Sequence, residues 1–387
     1  MQAYRMNWNY PTSVRVGAGR IAELADACKR LGMQAPLLVT DPGLAALPMI
    51  DSALQQCRDA GLNAEVFSSI KGNPTGQNVM DGVVVYRVGH HDGVIAFGGG
   101  SALDAAKAIA LMAGQDRPIW DFEDIGDNYL RVNVAGMAPV VAVPTTAGTG
   151  SEVGRASVIT DDEAHIKRII FHAHMLPALV ILDPELTVGL PPGITAATGM
   201  DALSHNLEAY CSPLFHPMAE GIALEGMRLI KDYLPRATAQ GADIEARLKM
   251  LVASSMGATA FQRGLGGMHA LAHPLGALYD AHHGTLNAIL MPYVLQANRS
   301  SIEPQMQRLG RYLDLPQQDF TGVLDWVLEL RSEVGIAHSL AEIGIDDRQI
   351  ERVGQMAVED AASGTNPIQF DAGQYSAIFT RALHGQL

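Results

Sequence analysis

The sequence predicts an α/β amino-terminal domain with a mostly parallel sheet over residues 1–186 and an all-helical domain over residues 187–387. Three observations carry this expectation. In the first half, short runs that are apolar throughout alternate with helical patterns. In the second half no strand-like run occurs, and Ala, Leu, Met, Glu and Arg recur with helical spacing. The length of 387 residues, 48% of them hydrophobic, is too great for one comfortable core and suggests two.

Taken in order, residues 36–40 form the first strand candidate and end in the turn residues Asp41-Pro42-Gly43. Residues 93–97 form the second, ending in Gly98-Gly99-Gly100-Ser101 and opening into a helical run over 102–113. Runs at 139–143 and 179–182 follow. Strands apolar on both faces suit a parallel sheet covered on both sides. Ligands of such sheets bind beyond the carboxyl ends of the strands, where the turns at Asp41, 98–101 and 144–151 all lie. The character changes across residues 184–192, rich in proline, and helical stretches at 219–234, 244–261 and 306–313 come after it.

Charge and composition narrow the function classes. Forty-one acidic residues against 27 basic ones leave a net charge of −14, which argues against nucleic acid or an anionic membrane as partner. No apolar run approaches the roughly 18 residues of a membrane span, and the first residues carry no apolar signal core. Three cysteines, Cys28, Cys57 and Cys211, are too few for a disulfide framework and too far apart for a cysteine zinc site. A cytoplasmic enzyme acting on a small molecule is expected.

Two small-residue loops suggest a nucleotide. Gly98-Gly99-Gly100-Ser101 sits between a strand and a helix, so unblocked backbone N–H groups at a positive helix end could meet a pyrophosphate. Leu103 stands where the usual dinucleotide fingerprint has its third glycine, so a plain strand-to-helix turn is an equal reading of this loop alone. The loop 144–152 adds Thr145, Thr146, Thr149 and Ser151 with two glycines. Two such loops on one sheet edge favour an extended ligand. Asp41 could accept from a ribose hydroxyl, and its charge would repel a 2′-phosphate, which favours NAD over NADP; an Asp-Pro turn is the plainer alternative.

The densest chemistry lies further on. Six of the thirteen histidines fall between residues 201 and 283. Asp201 and His205 are four apart and share a helix face, and His269 and His273 repeat the spacing, with His283 ten residues later. Carboxylate plus imidazoles suits Fe2+ or Zn2+. A single histidine in an apolar run is usually a core residue, but a cluster of this size in an apolar, glycine-rich setting points to a metal.

Together these segments are similar to the iron-containing (group III) alcohol dehydrogenases over essentially the whole chain. The run from Gly98 through Asp104 to Lys107 resembles the family's pyrophosphate loop, and residues 144–152 its second signature. Residues 264–276, completed by His282-His283-Gly284, resemble its histidine signature. The resemblance implies a dehydroquinate-synthase-like architecture, with cofactor and metal meeting in a cleft. It implies metal ligation by Asp201, His205, His269 and His283, with His273 as a non-ligand proton relay near the nicotinamide. It also implies cofactor contacts from Asp41, Gly98, Gly99, Gly100, Ser101, Asp104, Thr145, Thr146 and Thr149, with Lys167 and Leu186 as further cofactor-side positions, and a homodimer.

The 4-hydroxybutyrate dehydrogenase branch is the nearest in pattern, on the stretches 182–202, 261–276 and 282–292. The chain departs from many family members at Gly154-Arg155 and at Phe261-Gln262-Arg263. Arg155 or Arg263, with Phe261 near the latter, is a candidate to meet a substrate carboxylate, since a guanidinium fork fits one well; a structural salt bridge with one of the 41 acidic groups is an equal reading. The expected activity is reversible hydride transfer between a primary alcohol, such as 4-hydroxybutyrate, and nicotinamide. The competing readings are a glycerol-type polyol dehydrogenase, a sugar-phosphate cyclase and a non-catalytic nucleotide-binding module. A cyclase would need a Lys/Arg cluster for phosphate, and the stretch 184–300 is poor in both.

Overall fold

A computed structural model describes residues 10, 12–164 and 166–387, so the start of the expected first domain lies outside the described residues. The chain divides into two compact units. One comprises residues 10–146 with 150–188, and the other 147–149 with 189–387. The short stretch 147–149 counts with the helices rather than with the sheet.

In chain order the α/β unit contains β1 (Ser13–Val16), α1 (Leu24–Arg30), β2 (Pro36–Val39), α2 (Pro42–Ala45), α3 (Pro48–Asp59), β3 (Glu65–Phe67), α4 (Gly76–Val88), β4 (Gly93–Gly98), α5 (Gly100–Met112), β5 (Val140–Pro144), β6 (Ala156–Asp161), β7 (Ile166–Phe171) and β8 (Leu179–Leu182). The four strands expected from continuous apolar runs are β2, β4, β5 and β8, and each is buried along its whole length. They sit inside a six-stranded sheet of order β1-β8-β5-β4-β2-β3 with every neighbouring pair parallel. The edge strands β1 and β3 are partly exposed, which blunts the apolar signal that marked the others. The antiparallel hairpin β6–β7 is a separate two-stranded sheet; β6 alternates buried and half-buried residues and β7 is mostly half-buried, so neither formed a continuous buried run.

Strand order reverses beside β2: β3 lies on one side of it and β4, the next strand in the chain, on the other. The crevice at such a reversal, beyond the carboxyl ends of the strands, is where an open parallel sheet binds ligands. Asp41 follows β2 and the glycine loop follows β4, so both expected cofactor segments flank that crevice.

The helical unit contains α6 (Pro192–Cys211), α7 (Pro217–Ala239), α8 (Ile244–Ala260), α9 (Gly267–Tyr279), α10 (His283–Tyr312), α11 (Phe320–Glu333), α12 (Ile350–Glu359) and α13 (Ala372–His384). No described helix is long and apolar enough to cross a membrane. Helix α6 is the axis of this unit. Every residue from Gly199 to Cys211 is buried, and α7, α8 and α10 pack around it. A helix buried on all sides has no polar face to lose, so the polar groups it carries must be satisfied inside the protein. Asp201 and His205 are two of them.

Candidate functional site

On the helical unit, α6 presents Asp201, His205 and Glu208 at spacings of four and three, one face of the helix. Helix α9 presents His269 and His273, one turn apart. At the start of α10, two adjacent histidines divide their work. The His282 ring accepts from the Thr285 amide as the helix N-cap, and His283 is the first helical residue.

These side chains converge. One ligand atom each from Asp201, His205 and His269 lies within 4.8 Å of the others, and all three residues are buried. The His205 and His269 rings stack at 4.7 Å, and the His269 and His283 rings are 5.3 Å apart. His283 Nε2 lies 3.7 Å from Asp201 Oδ1. The four residues implied by the resemblance thus meet in one place, although they come from three helices.

The donor set fits a divalent cation on two counts. First, the Asn287 amide nitrogen lies 2.9 Å from Asp201 Oδ1, 3.2 Å from His269 Nε2 and 3.1 Å from His283 Nε2. Three acceptors around one amide exceed the two hydrogens it can offer. Such a crowd of lone pairs is what a cation satisfies. Second, burial holds the His269 ring well below its ordinary pKa, with repulsion from His205 adding to the effect, so the ring is the neutral ligand form. One carboxylate and neutral imidazoles are borderline ligands that suit Fe2+ or Zn2+.

Two carboxylates absent from the sequence expectations orient the histidines of α9. Glu208 accepts from His269 Nδ1 at 2.6 Å. Burial pushes its carboxyl up to about 7, against the pull of the backbone N–H groups of Met268 and Gly266. Asp360, at the end of α12, takes His273 Nδ1 at 2.8 Å. Burial would raise the Asp360 carboxyl, but the charge and hydrogen bond of His273 outweigh it and hold it below its ordinary value. His273 stacks on His283 at 5.4 Å, beside the proposed ligands. The spacing of Asp201, His205 and Glu208 was a signal available in the sequence. Asp360 is 87 positions from His273 and carries no local signal.

On the α/β unit, the expected cofactor residues divide into two groups. At the carboxyl ends of β4 and β5, Gly98 is paired with Pro144, and the Thr145 amide donates to the Gly98 carbonyl at 2.9 Å. Gly98 has φ +148°, a conformation side chains rarely adopt, and a Cβ there would lie 2.8 Å from that of Ala102. A Cβ on Gly99 would lie 3.3 Å from the Thr146 methyl. Gly99 is the N-cap of α5 with no side-chain cap, so the first-turn amides of a 13-residue helix open onto a glycine cradle. That arrangement fits a pyrophosphate. Asp41 caps α2, its Oδ1 accepting from the Leu44 amide at 3.0 Å, which matches the turn reading and leaves its second oxygen for a ribose.

The other expected positions have partners or packing within the protein. The Ser101 hydroxyl donates to the Gly72 carbonyl. Asp104 accepts from the Ser151 hydroxyl, from the Val158 amide at 2.9 Å and from Lys107 at 3.1 Å, so it ties α5 to the second loop and to β6. Lys167 on β7 donates to Asn73 at 3.0 Å. Leu186 is packed into the core of the α/β unit, and Thr149 falls with the helical unit.

Of the substrate candidates, Phe261 lies against the metal cluster, its ring 5.3 Å from that of His205. Arg263 is committed elsewhere. Its Nε donates to the Leu214 carbonyl at 2.5 Å, its Nη1 to the carbonyls of Ala209 and Tyr210, and its Nη2 pairs with Glu220 at 2.9 Å. It closes the last turn of α6, whose final carbonyls need donors. Arg263→Ala is expected to cost about 2–3 kcal/mol in urea unfolding, with no change in preference between charged and neutral aldehydes. Arg155 lies over the Phe171 ring at 5.6 Å, with Asp124 as its counter-charge.

The chain is similar to known proteins along its length. A family model described as iron-containing alcohol dehydrogenase matches residues 11–184, and its C-terminal counterpart matches residues 195–383. The chain is 38% identical to a 4-hydroxybutyrate dehydrogenase of Cupriavidus necator, covering 97% of this chain and 99% of that protein. It is 35% identical to an NAD-dependent methanol dehydrogenase of Bacillus methanolicus, covering 93% of this chain and 95% of the other. Among solved structures, a 1,3-propanediol oxidoreductase superposes with a TM-score of 0.93 at 33% identity, covering 98% of this chain and all of that one.

Proposed function

The chain belongs to the iron-containing alcohol dehydrogenase family, and from that premise we propose that it interconverts a short primary alcohol and its aldehyde by hydride transfer to and from NAD. The observation that carries the reading is the buried convergence of Asp201, His205 and His269, with His283 beside them. These four residues would hold Fe2+, or Zn2+ in its place. A bound divalent cation supplies Lewis acidity toward a substrate oxygen.

The chain's own residues do the rest. In the oxidative direction the alcohol carbon gives a hydride to nicotinamide and the hydroxyl gives a proton to a base. His273 is suited to take that proton: its Nδ1–H is held by Asp360, which leaves the Nε2 lone pair as the acceptor. The uncapped glycine end of α5 would hold the pyrophosphate, and the charge of Asp41 would favour NAD over NADP. Asp360→Asn is expected to lower kcat by about tenfold to a hundredfold, because the wrong His273 tautomer is then favoured. Bound metal should be unaffected, and metal analysis of the variant checks this.

The finer reading is a hydroxy acid substrate of the 4-hydroxybutyrate type, which rests on the 38% identity to the Cupriavidus necator enzyme. With Arg263 committed to α6, Arg155 is the remaining arginine candidate for the carboxylate. The likeness to a 1,3-propanediol oxidoreductase favours a neutral diol as the second reading. NADH consumption with succinic semialdehyde, 3-hydroxypropanal and butanal separates them. A higher kcat/KM for the acid that Arg155→Ala abolishes supports the first reading, and a higher value for 3-hydroxypropanal than for the other two supports the second. A cytoplasmic location and a homodimer complete the proposal, the homodimer on the family resemblance alone.

A further inference from the structure

We propose that Glu208 is a positioning residue for the metal centre, one carboxylate that sets both the place of helix α9 and the tautomer of His269. The inference rests on the reading of Asp201, His205, His269 and His283 as metal ligands.

Helix α9 begins at Gly266 and Gly267, which have no side chain with which to cap their own helix. The cap comes from elsewhere in the fold. Glu208 Oε2 accepts from the Gly266 amide at 2.9 Å, and Oε1 accepts from the Met268 amide at 2.6 Å. Asn366 accepts from the Gly267 amide at 2.9 Å. An anion at the N-terminus of a helix is stabilised by the aligned peptide dipoles, and here it also satisfies two amides that would otherwise be orphaned in a buried place. The glycines serve that approach: a Cβ on Gly266 would lie 3.0 Å from Glu208 Oε1.

The same Oε2 also takes His269 Nδ1 at 2.6 Å. A carboxylate oxygen accepts, so the proton belongs on Nδ1 and the lone pair on Nε2. Nε2 is the nitrogen that shares the Asn287 amide with Asp201 and His283, on the side of the cluster. Glu208 therefore aims the free lone pair of His269 at the other ligands while anchoring the helix that carries it. Being three residues after His205 on one buried helix, it locks the geometry of α9 to that of α6. Partners of this kind typically contribute ten- to a hundredfold to metal affinity.

The test is Zn2+ affinity, by competition with a chromophoric chelator, in the wild type, Glu208→Gln and Asn366→Ala, together with the melting temperature of each metal-free protein. In Glu208→Gln an amide N–H must face either the Met268 amide or the pair formed by Gly266 and His269, and the second choice moves the histidine proton to Nε2. The expected result is Zn2+ affinity ten- to a hundredfold weaker in Glu208→Gln. Asn366→Ala, which loosens the same helix end without touching His269, should stay within about threefold of the wild type. Wild-type affinity in Glu208→Gln overturns the proposal, and so does an equal loss in Asn366→Ala, which would reduce Glu208 to a helix cap. A wild type that binds no Zn2+ removes the ligand reading itself, and the proposal with it. Should Glu208→Gln not fold, wild-type protein labelled with 15N-histidine decides: a His269 ring protonated at Nδ1 supports the assignment, and one protonated at Nε2 overturns it.

Discussion

Replacing His269 with alanine is expected to abolish metal retention and lower kcat/KM for any aldehyde by about a thousandfold or more. Three features make this the most damaging single change. The ring is buried and neutral, so it supplies a ligand without the cost of removing a proton. It touches the other proposed ligands on two sides, stacking on His205 at 4.7 Å and lying 5.3 Å from His283. It is also the histidine whose orientation Glu208 holds. Lewis acid catalysis contributes several kcal/mol to a barrier, and each 1.36 kcal/mol is a factor of ten in rate. Metal analysis beside steady-state rates checks the result. His338→Ala, which alters a residue outside the cluster whose Nδ1 meets Arg331, should retain its metal.

Gly284→Ala is expected to damage the same centre without removing a ligand. A Cβ at residue 284 would lie 2.4 Å from the Ala197 carbonyl oxygen and 3.1 Å from Asp201 Cβ. The obstacle is backbone, which has no rotamer by which to yield. Helix α10 would have to move off α6, carrying His283 away from Asp201, whose side chains now approach to 3.7 Å. Overpacking of this kind costs about 1–3 kcal/mol in stability. Urea unfolding of the metal-free protein measures that part, and Zn2+ affinity measures the displacement of the ligand. A variant with wild-type affinity would mean that His283 is dispensable as a ligand.

The sequence revealed what is written in local pattern. Strands β2, β4, β5 and β8 announced themselves because burial on both faces leaves no polar residue to interrupt them. Asp201 with His205, and His269 with His273, could be placed on common helix faces because an interval of four brings side chains together. What brings α6, α9 and α10 to one point is packing over long sequence separations, and neither composition nor periodicity encodes that. The resemblance to a known family supplied the ligand set in its place. Arg263 shows the opposite limit. Its place in a departure from the family pattern suggested a substrate contact beside the salt-bridge reading, and the carbonyls at the end of α6 and the Glu220 carboxylate claim it. Asp104 was similarly drawn toward the cofactor by its place in a motif, while its oxygens hold Ser151 and the Val158 amide.

The most direct test of metal-dependent hydride transfer at this centre is NADH oxidation by the metal-stripped protein. Succinic semialdehyde and butanal serve as substrates, before and after anaerobic return of Fe2+. The account predicts no turnover after stripping, recovery that saturates at one ion per chain, and no recovery in His269→Ala at any Fe2+ concentration. Full turnover by the stripped protein, or recovery in His269→Ala equal to that of the wild type, would contradict it.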